Sequence, residues 1–405
     1  MTLDIYYNPA RKASGQGAPL NALMPDTAEE VRAFHKTFKE YAPTPLHDLP
    51  HLAKDFGLGR ILVKDESLRF GLNAFKVLGG SYAIGRYLAD KLGRPLSSLS
   101  REILCSPDIR SQTGDLTFAA TTDGNHGRGV AWTARQLGQK AVVYMPKGSA
   151  QSRVDNIRAL GAECRVTDLN YDDSVRMTWD QAREHGWVMV QDTAWDGYED
   201  IPAWIMQGYT TLAVETLEQM HARGLQAPSH VFLQAGVGSF AGAVLGYFAA
   251  ALGPDMPTFV IVEPHKANCI YTSARSADGR PHSVTGDLDT LMAGLACGAP
   301  STISWPILRD YATACISCPD YTAANGMRIL AAPLRGDAPI LSGESGAATT
   351  GVVQWIMQSK DGEEARERLG LNESSTVLLV STEGDTSPAA YRDVVWFGKH
   401  NRWSE

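Results

Sequence analysis

The lysine at position 76 is the residue of this chain that could perform covalent chemistry. It lies in residues 73–83, Asn-Ala-Phe-Lys-Val-Leu-Gly-Gly-Ser-Tyr-Ala, between a predicted strand at 61–63 and a predicted helix at 77–92. The positive end of a helix and neighbours of low polarity favour the free amine that a Schiff base requires. A lysine in a first helical turn is also a common surface residue, so this interpretation depends on partners elsewhere.

A polar loop follows the predicted strand at 117–121. Residues 121–127 read Thr-Thr-Asp-Gly-Asn-His-Gly and precede a predicted helix. Exposed N–H groups at a helix N-terminus suit a carboxylate, which makes Thr121, Thr122 and Asp123 candidate substrate-binding residues. An Asx-type turn that caps the helix explains the same loop without a ligand.

A glycine-rich loop follows the predicted strand at 231–234. Residues 235–242 read Ala-Gly-Val-Gly-Ser-Phe-Ala-Gly and enter a helix. Glycines allow backbone N–H groups to approach a phosphate at the helix's positive end, and a serine adds a hydroxyl. The candidate phosphate ligands are Gly236, Val237, Gly238 and Ser239.

The same loop also satisfies a dinucleotide fingerprint. Gly236, Gly238 and Ala241 have the required spacing, and Glu263 ends the next strand where a ribose-binding acid would lie. The loop alone does not separate pyridoxal phosphate from NAD. Its position favours pyridoxal phosphate, because the dinucleotide fingerprint usually opens the first strand of its domain.

Two further strand ends carry polar residues. Ser381 and Thr382 follow the predicted strand at 376–380, where a hydroxyl could donate to or accept from a pyridine nitrogen, and Asp192 follows the strand at 188–191. Together with the lysine, the glycine loop and the Asp-Gly-Asn-His loop, these residues form a consistent set for a pyridoxal phosphate enzyme.

Apolar strands alternate with helical segments from residue 60 onward, which predicts an α/β fold with parallel sheets covered by helices on both faces. Residues 1–58 resemble an arm laid over the body, with one helix at 27–41. A helix at 203–220 is a natural boundary between two domains. We therefore expect a smaller α/β domain at 77–200 and a larger cofactor-binding domain formed by residues 1–76 and 201–405.

The 405 residues carry 37 basic and 45 acidic side chains and show no basic stripe, which argues against nucleic acid and membrane partners. The uncharged run 235–253 is interrupted by glycines and indicates a buried helix. Cys315 and Cys318 have the spacing of a zinc half-site, but no second pair accompanies them. The first residues resemble no export or import signal, so we expect a cytoplasmic protein without a metal.

The motifs above resemble the fold type II pyridoxal phosphate enzymes, the group of threonine and serine dehydratases, cysteine synthase and tryptophan synthase β. Within that group the chain is most similar to the diaminopropionate ammonia-lyases, along most of its length. Val77 departs from their pattern, in which alanine often follows the lysine. The matching blocks are residues 73–83, 122–132, 191–195, 292–298 and 381–386.

This resemblance implies an enzyme that converts both enantiomers of 2,3-diaminopropionate to pyruvate and two ammonia molecules. Lys76 would hold pyridoxal 5′-phosphate and act as the base on one face of the substrate, Asp123 would act on the other face, and Asp192 would lie near the substrate's amino groups. Either Asp123 or Asp192 would protonate the leaving amine. The alternatives are a serine or threonine dehydratase, a nicotinamide-dependent oxidoreductase and a non-catalytic binding protein of the same fold.

The resemblance also assigns the remaining contacts to the cofactor. Asn125 would meet its 3′-oxygen, the residues from Gly236 to Ser239 would hold its phosphate, and Ser381 or Thr382 would face its pyridine nitrogen. Cys269 and Cys297 match positions that form a disulfide in a relative, although thiols are expected in a reducing cytoplasm. A homodimer is the family expectation.

Overall fold

The computed structural model describes residues 2–122 and 124–401. Asp123, a predicted catalytic and substrate-binding residue, lies outside the described residues. The strands are β1 Asp4–Tyr7, β2 Leu46–Asp48, β3 Arg60–Asp65, β4 Thr117–Thr121, β5 Lys140–Met145, β6 Glu163–Val166, β7 Val188–Met189, β8 His230–Gln234, β9 Thr258–Pro264, β10 Ala314–Cys318 and β11 Thr376–Ser381.

The α-helices lie between these strands and cover both sheets. They are α1 Pro25–His35, α2 Pro50–Asp55, α3 Val77–Lys91, α4 Arg101–Leu104, α5 Pro107–Thr113, α6 Asn125–Gln136, α7 Gln151–Arg158, α8 Tyr171–His185, α9 Asp200–Ala222, α10 Ser239–Leu252, α11 Cys269–Ser276, α12 Trp305–Tyr311, α13 Asp320–Ala331, α14 Glu344–Gln358, α15 Glu363–Leu369 and α16 Pro388–Val395.

The strands form two separate sheets. The larger sheet has the order β1-β10-β9-β8-β11-β3-β2, and the smaller sheet has the order β6-β5-β4-β7. Only the outer strands β1 and β2 pair antiparallel to their neighbours within the described residues; the other pairings are parallel. Parallel strands buried under helices on both faces confirm the predicted α/β class.

The eight predicted strands are present, but β1, β2 and β10 were not predicted. β1 and β2 are edge strands of four and three residues, too short for a clear alternation, and they attach the first 58 residues to the large sheet. The predicted arm is therefore part of the sheet. All five residues of β10 are buried, and they include Cys315 and Cys318.

The packing of α3 against α6 and α9 fixes the position of the segment that carries Lys76. α3 begins one residue after the lysine, and glycines on α6 and α9 allow close backbone approach to it. A Cβ atom at Gly208 would lie 2.4 Å from the Leu78 carbonyl oxygen, and one at Gly129 would lie 2.9 Å from the Val77 Cα. Both positions therefore require glycine, and the start of α3 is held between the two helices.

Candidate active site

A cavity of about 1260 Å³ opens at the carboxyl ends of strands from both sheets. Its lining comes from the segments after β4, β5, β6, β7, β8 and β11 and from residues within 281–302. In parallel sheets this edge is where ligands bind. The predicted site residues that line the cavity are Lys76, Thr122, Asn125, Asp192, Gly236, Val237, Gly238, Ser239 and Thr382.

Lys76 and Asp192 form an ion pair in this cavity. The lysine Nζ donates to Asp192 Oδ2, and the two side chains are 20% and 4% exposed. Burial opposes ionisation of Asp192, but attraction to Lys76, with a smaller effect of His126, lowers its pKa to about 2. Asp192 reaches the lysine from a loop 116 positions further along the chain.

The glycine loop forms a turn between β8 and α10. The N–H groups of Gly236, Val237 and Gly238 have no acceptor within residues 2–122 and 124–401, so they are available to an anion at the N-terminus of a 14-residue helix. Gly238 has φ +93°, a conformation that side chains rarely adopt. The hydroxyl of Ser239 donates to the Asp192 carbonyl oxygen at 2.5 Å, which joins this loop to the one after β7.

The loop after β4 is divided between the cavity and the protein interior. Thr121 does not line the cavity; its hydroxyl lies 2.7 Å from that of Thr178, inside the small sheet's helix layer. Thr122 lines the cavity, and its Oγ1 accepts from the Gly124 N–H at 2.8 Å. Asn125 is the first residue of α6, four residues before the predicted start of that helix, and its amide donates to Glu383.

Ser381 and Thr382 point to different surroundings. Ser381 donates to the Ser342 hydroxyl at 2.8 Å and does not line the cavity, whereas Thr382 lines it. The Thr382 Oγ1 accepts from the Gln234 amide at 2.9 Å. Of the two hydroxyls, Thr382 is therefore the one available to a ligand.

The polar cavity residues that were missed in the sequence include Gln234, Glu383 and Ser345. Ser345 donates its backbone N–H to Glu383 Oε1 at 3.2 Å. Gln234 directly precedes the glycine loop, which was a usable signal. Glu383 lies inside the Ser-Thr-Glu strand end, but the partners that bring it to the cavity come from distant segments.

The dinucleotide alternative lacks its ribose-binding acid. The Glu263 carboxylate is fully buried, and it accepts the N–H groups of Ile270 and Tyr271 at 2.8 and 2.6 Å. Because these bonds cap α11 and Glu263 does not line the cavity, Glu263 is not placed to bind a ribose beside the loop.

The remaining sequence hypotheses concern metal binding and membrane insertion. Among the described residues, no group of three or more metal-ligating side chains is assembled. Nor does any described helix combine the length and the apolar character required to cross a lipid bilayer. The uncharged run contains α10, which is buried against the large sheet as predicted.

Cys269 and Cys297 lie on either side of Gly236 as thiols. The Cys269 Sγ donates to the Gly236 carbonyl oxygen at 3.5 Å. A Cβ atom at Gly236 would lie 3.1 Å from the Cys297 Sγ. A side chain at this position would therefore require Cys297 to shift by a few tenths of an ångström.

The residues present fit pyridoxal 5′-phosphate. A primary amine, a turn of available N–H groups at a helix N-terminus and a hydroxyl at a strand end share one cavity. Two buried polar atoms on its lining residues, Gln234 Oε1 and Ser345 Oγ, have no hydrogen-bond partner in the described part of the chain, as expected where a polar ligand completes the site.

The fold and this site define a fold type II pyridoxal phosphate enzyme. The family described as "Pyridoxal-phosphate dependent enzyme" matches residues 37–383. The chain belongs to this family, and within it to the group of diaminopropionate ammonia-lyases.

The relatives in that group match along nearly the whole chain. A diaminopropionate ammonia-lyase of Salmonella typhimurium is 57% identical over 394 residues, covering 97% of this chain and 98% of the relative. The holo form of the Escherichia coli diaminopropionate ammonia-lyase has a TM-score of 0.92 and 52% identity over 99% of this chain and 98% of its own. The same enzyme in complex with an aminoacrylate–PLP azomethine reaction intermediate has a TM-score of 0.90 and 51% identity over the same shares.

Proposed function

We propose that this chain eliminates ammonia from both enantiomers of 2,3-diaminopropionate with pyridoxal phosphate, yielding pyruvate and a second ammonia. The observation that carries the proposal is the Lys76–Asp192 ion pair, which lies in one cavity with the glycine turn that begins at Gly236. The 57% identity to an enzyme named for this reaction supports the choice of substrate.

The cofactor would be held at three points of the cavity. Lys76 provides the amine for covalent attachment, the N–H groups from Gly236 to Gly238 and the Ser239 hydroxyl bind the phosphate, and Thr382 meets the ring nitrogen. Asn125 lies beside Glu383 on the cavity wall and is available to the 3′-oxygen. Bound there, pyridoxal phosphate supplies an electron sink that acidifies the Cα–H of the amino acid.

The chain's own side chains then move the protons. Lys76, once displaced by the substrate amine, is the base on one face of Cα, and Asp123 is assigned to the other face, since two enantiomers need two bases. Asp192, whose pKa is lowered by the pairing with Lys76 in the cofactor-free protein against the opposing effect of burial, is assigned to the vicinity of the substrate's amino groups. A carboxylate beside the substrate amines favours their ammonium forms, and an ammonium leaves more readily than an amine.

A serine or threonine dehydratase is the second candidate. The Escherichia coli diaminopropionate ammonia-lyase has been crystallised in complex with D-serine, which shows that a site of this kind admits a β-hydroxyl amino acid. We rank it second because the dehydratase relatives compared share 26 to 29% identity with this chain and cover 63 to 66% of it.

Two measurements test the proposal. Borohydride reduction of the yellow holoprotein should fix the cofactor to Lys76, as mass spectrometry of its peptides would record; a colourless protein refutes the cofactor assignment. Parallel pyruvate assays on D- and L-diaminopropionate and on both serine enantiomers should show faster turnover of the diamines. A strong preference for serine would replace the ammonia-lyase with the dehydratase.

We infer further that the enzyme works as a homodimer in the cytoplasm. Residues 77–200 contain the whole small sheet and are proposed as the smaller domain, with residues 1–76 and 201–405 as the larger one. Sedimentation analysis of the holoprotein would report twice the 43.9 kDa chain mass. A species of one chain mass would contradict the dimer.

A further inference from the structure

Tyr209 carries a buried hydroxyl next to the Lys76–Asp192 ion pair that the proposed reaction does not use. The residue lies on α9, is fully buried and does not line the cavity. Its ring centroid lies 4.8 Å from that of Phe75, the residue before Lys76. On α3, Gly79 makes room for the ring, because a Cβ atom there would lie 2.7 Å from the Tyr209 Cε1. The tyrosine therefore reaches the start of α3 from the protein interior.

The hydroxyl is close to both members of the ion pair. Burial, the largest effect, raises the pKa of Tyr209, the charge of Lys76 lowers it and the Asp192 carboxylate raises it. The Tyr209 oxygen nevertheless completes no regular hydrogen bond with any group in the described part of the chain. Because the pKa is raised overall, the group is a neutral O–H with one hydrogen to donate. The Asp192 carboxylate is the acceptor within its reach.

Asp192 relies mainly on Lys76 to compensate its buried charge in the cofactor-free protein. Burial raises the pKa of Asp192, and attraction to Lys76 and, to a smaller extent, to His126 lowers it. His126 donates its Nε2–H to the Val190 carbonyl oxygen at 2.7 Å. An ionised carboxylate that is only 4% exposed is costly unless it is paired with a donor or a positive charge.

Attachment of the cofactor removes most of this compensation. An ammonium at Lys76 must first lose a proton to solvent; Nζ then bonds the aldehyde carbon, and the aldehyde oxygen leaves as water. The nitrogen keeps at most one N–H where the ammonium had three, and a cofactor in the cavity displaces water from Asp192. A buried carboxylate in that state requires another donor.

We propose that Tyr209 is a positioning residue whose hydroxyl donates to the Asp192 carboxylate when Lys76 carries the cofactor, and so holds Asp192 ionised beside the substrate. This inference rests on the proposed function, because it concerns the state in which pyridoxal phosphate is bound. Asp192 thus has Lys76 as its main partner in the cofactor-free protein and Tyr209 in the loaded protein.

Tyr209→Phe removes the hydroxyl alone and tests this assignment. In the cofactor-free protein the hydroxyl has no regular hydrogen bond to lose within the described residues, so the urea midpoint should equal that of the parent. The Kd for pyridoxal phosphate, measured by titration of visible absorbance, should rise about 10-fold, which corresponds to about 1.4 kcal/mol for one buried hydrogen bond to a carboxylate. An unchanged Kd would overturn the inference.

Tyr311→Phe is the matched control and should show the opposite pattern. This buried hydroxyl donates to the Ala18 carbonyl oxygen at 2.8 Å and accepts from the Gly17 N–H at 3.1 Å, and Tyr311 does not line the cavity. Its removal should lower the urea midpoint and leave the cofactor Kd unchanged. A purely structural role of the Tyr209 hydroxyl would give Tyr209→Phe this control pattern and would contradict the proposal.

A double-mutant cycle identifies the partner of the hydroxyl. In an Asp192→Asn background the carboxylate is absent, so the further change Tyr209→Phe should alter the cofactor Kd by less than about 2-fold. An equal loss of affinity in both backgrounds would show that the hydroxyl acts on another group, and the inference would be wrong.

A crystal structure of the loaded parent covers the case in which Tyr209→Phe does not fold. The Tyr209 oxygen should lie about 2.7 Å from an Asp192 carboxylate oxygen, the usual length of an O–H···O hydrogen bond, and a separation of about 3.5 Å or more would overturn the inference. A parent that does not bind pyridoxal phosphate refutes the proposed function as well. A parent that binds it no more tightly than Tyr209→Phe refutes this inference alone.

Discussion

Replacing Asp192 by asparagine in the cofactor-free protein should lower the free energy of unfolding by about 2 kcal/mol at pH 7. The ion pair with Lys76 is the main cause of the depressed pKa, against the opposing effect of burial. A change in pKa from 3.8 to about 2 corresponds to about 2.4 kcal/mol, at about 1.36 kcal/mol per pH unit. Asparagine has a similar shape to the protonated acid and cannot gain this energy.

The effect has a defined pH dependence. Because the folded-state pKa of Asp192 is lower than the unfolded one, the unfolded chain binds more protons between pH 4 and pH 2. The stabilisation is therefore complete above the unfolded pKa and is lost as the pH falls through about 2. The difference between parent and Asp192→Asn should be constant from pH 8 to pH 5 and begin to shrink below pH 4.

Urea unfolding of the cofactor-free proteins, followed by circular dichroism at several pH values, measures this difference. Asp196→Asn is the matched control, since Asp196 is an exposed aspartate four residues further along the same loop. It should change the free energy of unfolding by less than about 0.5 kcal/mol. Equal effects of the two substitutions at pH 7, or a difference that does not shrink in acid, would refute the argument from the ion pair.

Three further substitutions test the assigned roles. Lys76→Ala should abolish the cofactor's visible absorbance and reduce turnover at least about 1000-fold; retained ligand affinity without turnover would instead fit a binding protein. Gly238→Ala should raise the cofactor Kd about 10-fold or more, because Gly238 has φ +93° and the new Cβ would lie 2.9 Å from the Leu308 Cδ1. Gly224→Ala is the control: Gly224 also has a positive φ, but its new Cβ would meet nothing within 4 Å, so the cofactor Kd should not change. Asp123→Asn should reduce turnover of the D-enantiomer about 100-fold more than that of the L-enantiomer, and equal losses would assign Asp123 to another step.

The strands that bear the site were predictable because their apolar runs are continuous. β4, β8 and β11 are buried along nearly their whole length, and the polar residues that follow each run mark the cavity edge. The short strands β1 and β2 gave no such signal. β10 was not predicted, although all five of its residues, Cys315 and Cys318 among them, are buried.

Side-chain pairing was the part that the sequence could not provide. Analysis of residues 73–83 alone could not identify Asp192 as the partner of Lys76, because the two residues are 116 positions apart. The choice between Ser381 and Thr382 also stayed open. It depends on where β11 ends: Ser381 is the last strand residue and faces Ser342, and Thr382 follows it into the cavity.

The two sheets contribute different parts of the site, and this division has a chemical consequence. The lysine, the glycine turn and Thr382 belong to the large sheet and its connections, where close helix packing at Gly129 and Gly208 fixes the start of α3. Thr122 and the loop that contains Asp123 follow β4 of the small sheet. The proposed covalent and phosphate anchors of the cofactor and the proposed substrate contact at Thr122 thus follow strands of different sheets, so we expect a substitution at Thr122 to alter which amino acid is accepted while Lys76 and the glycine turn remain in place.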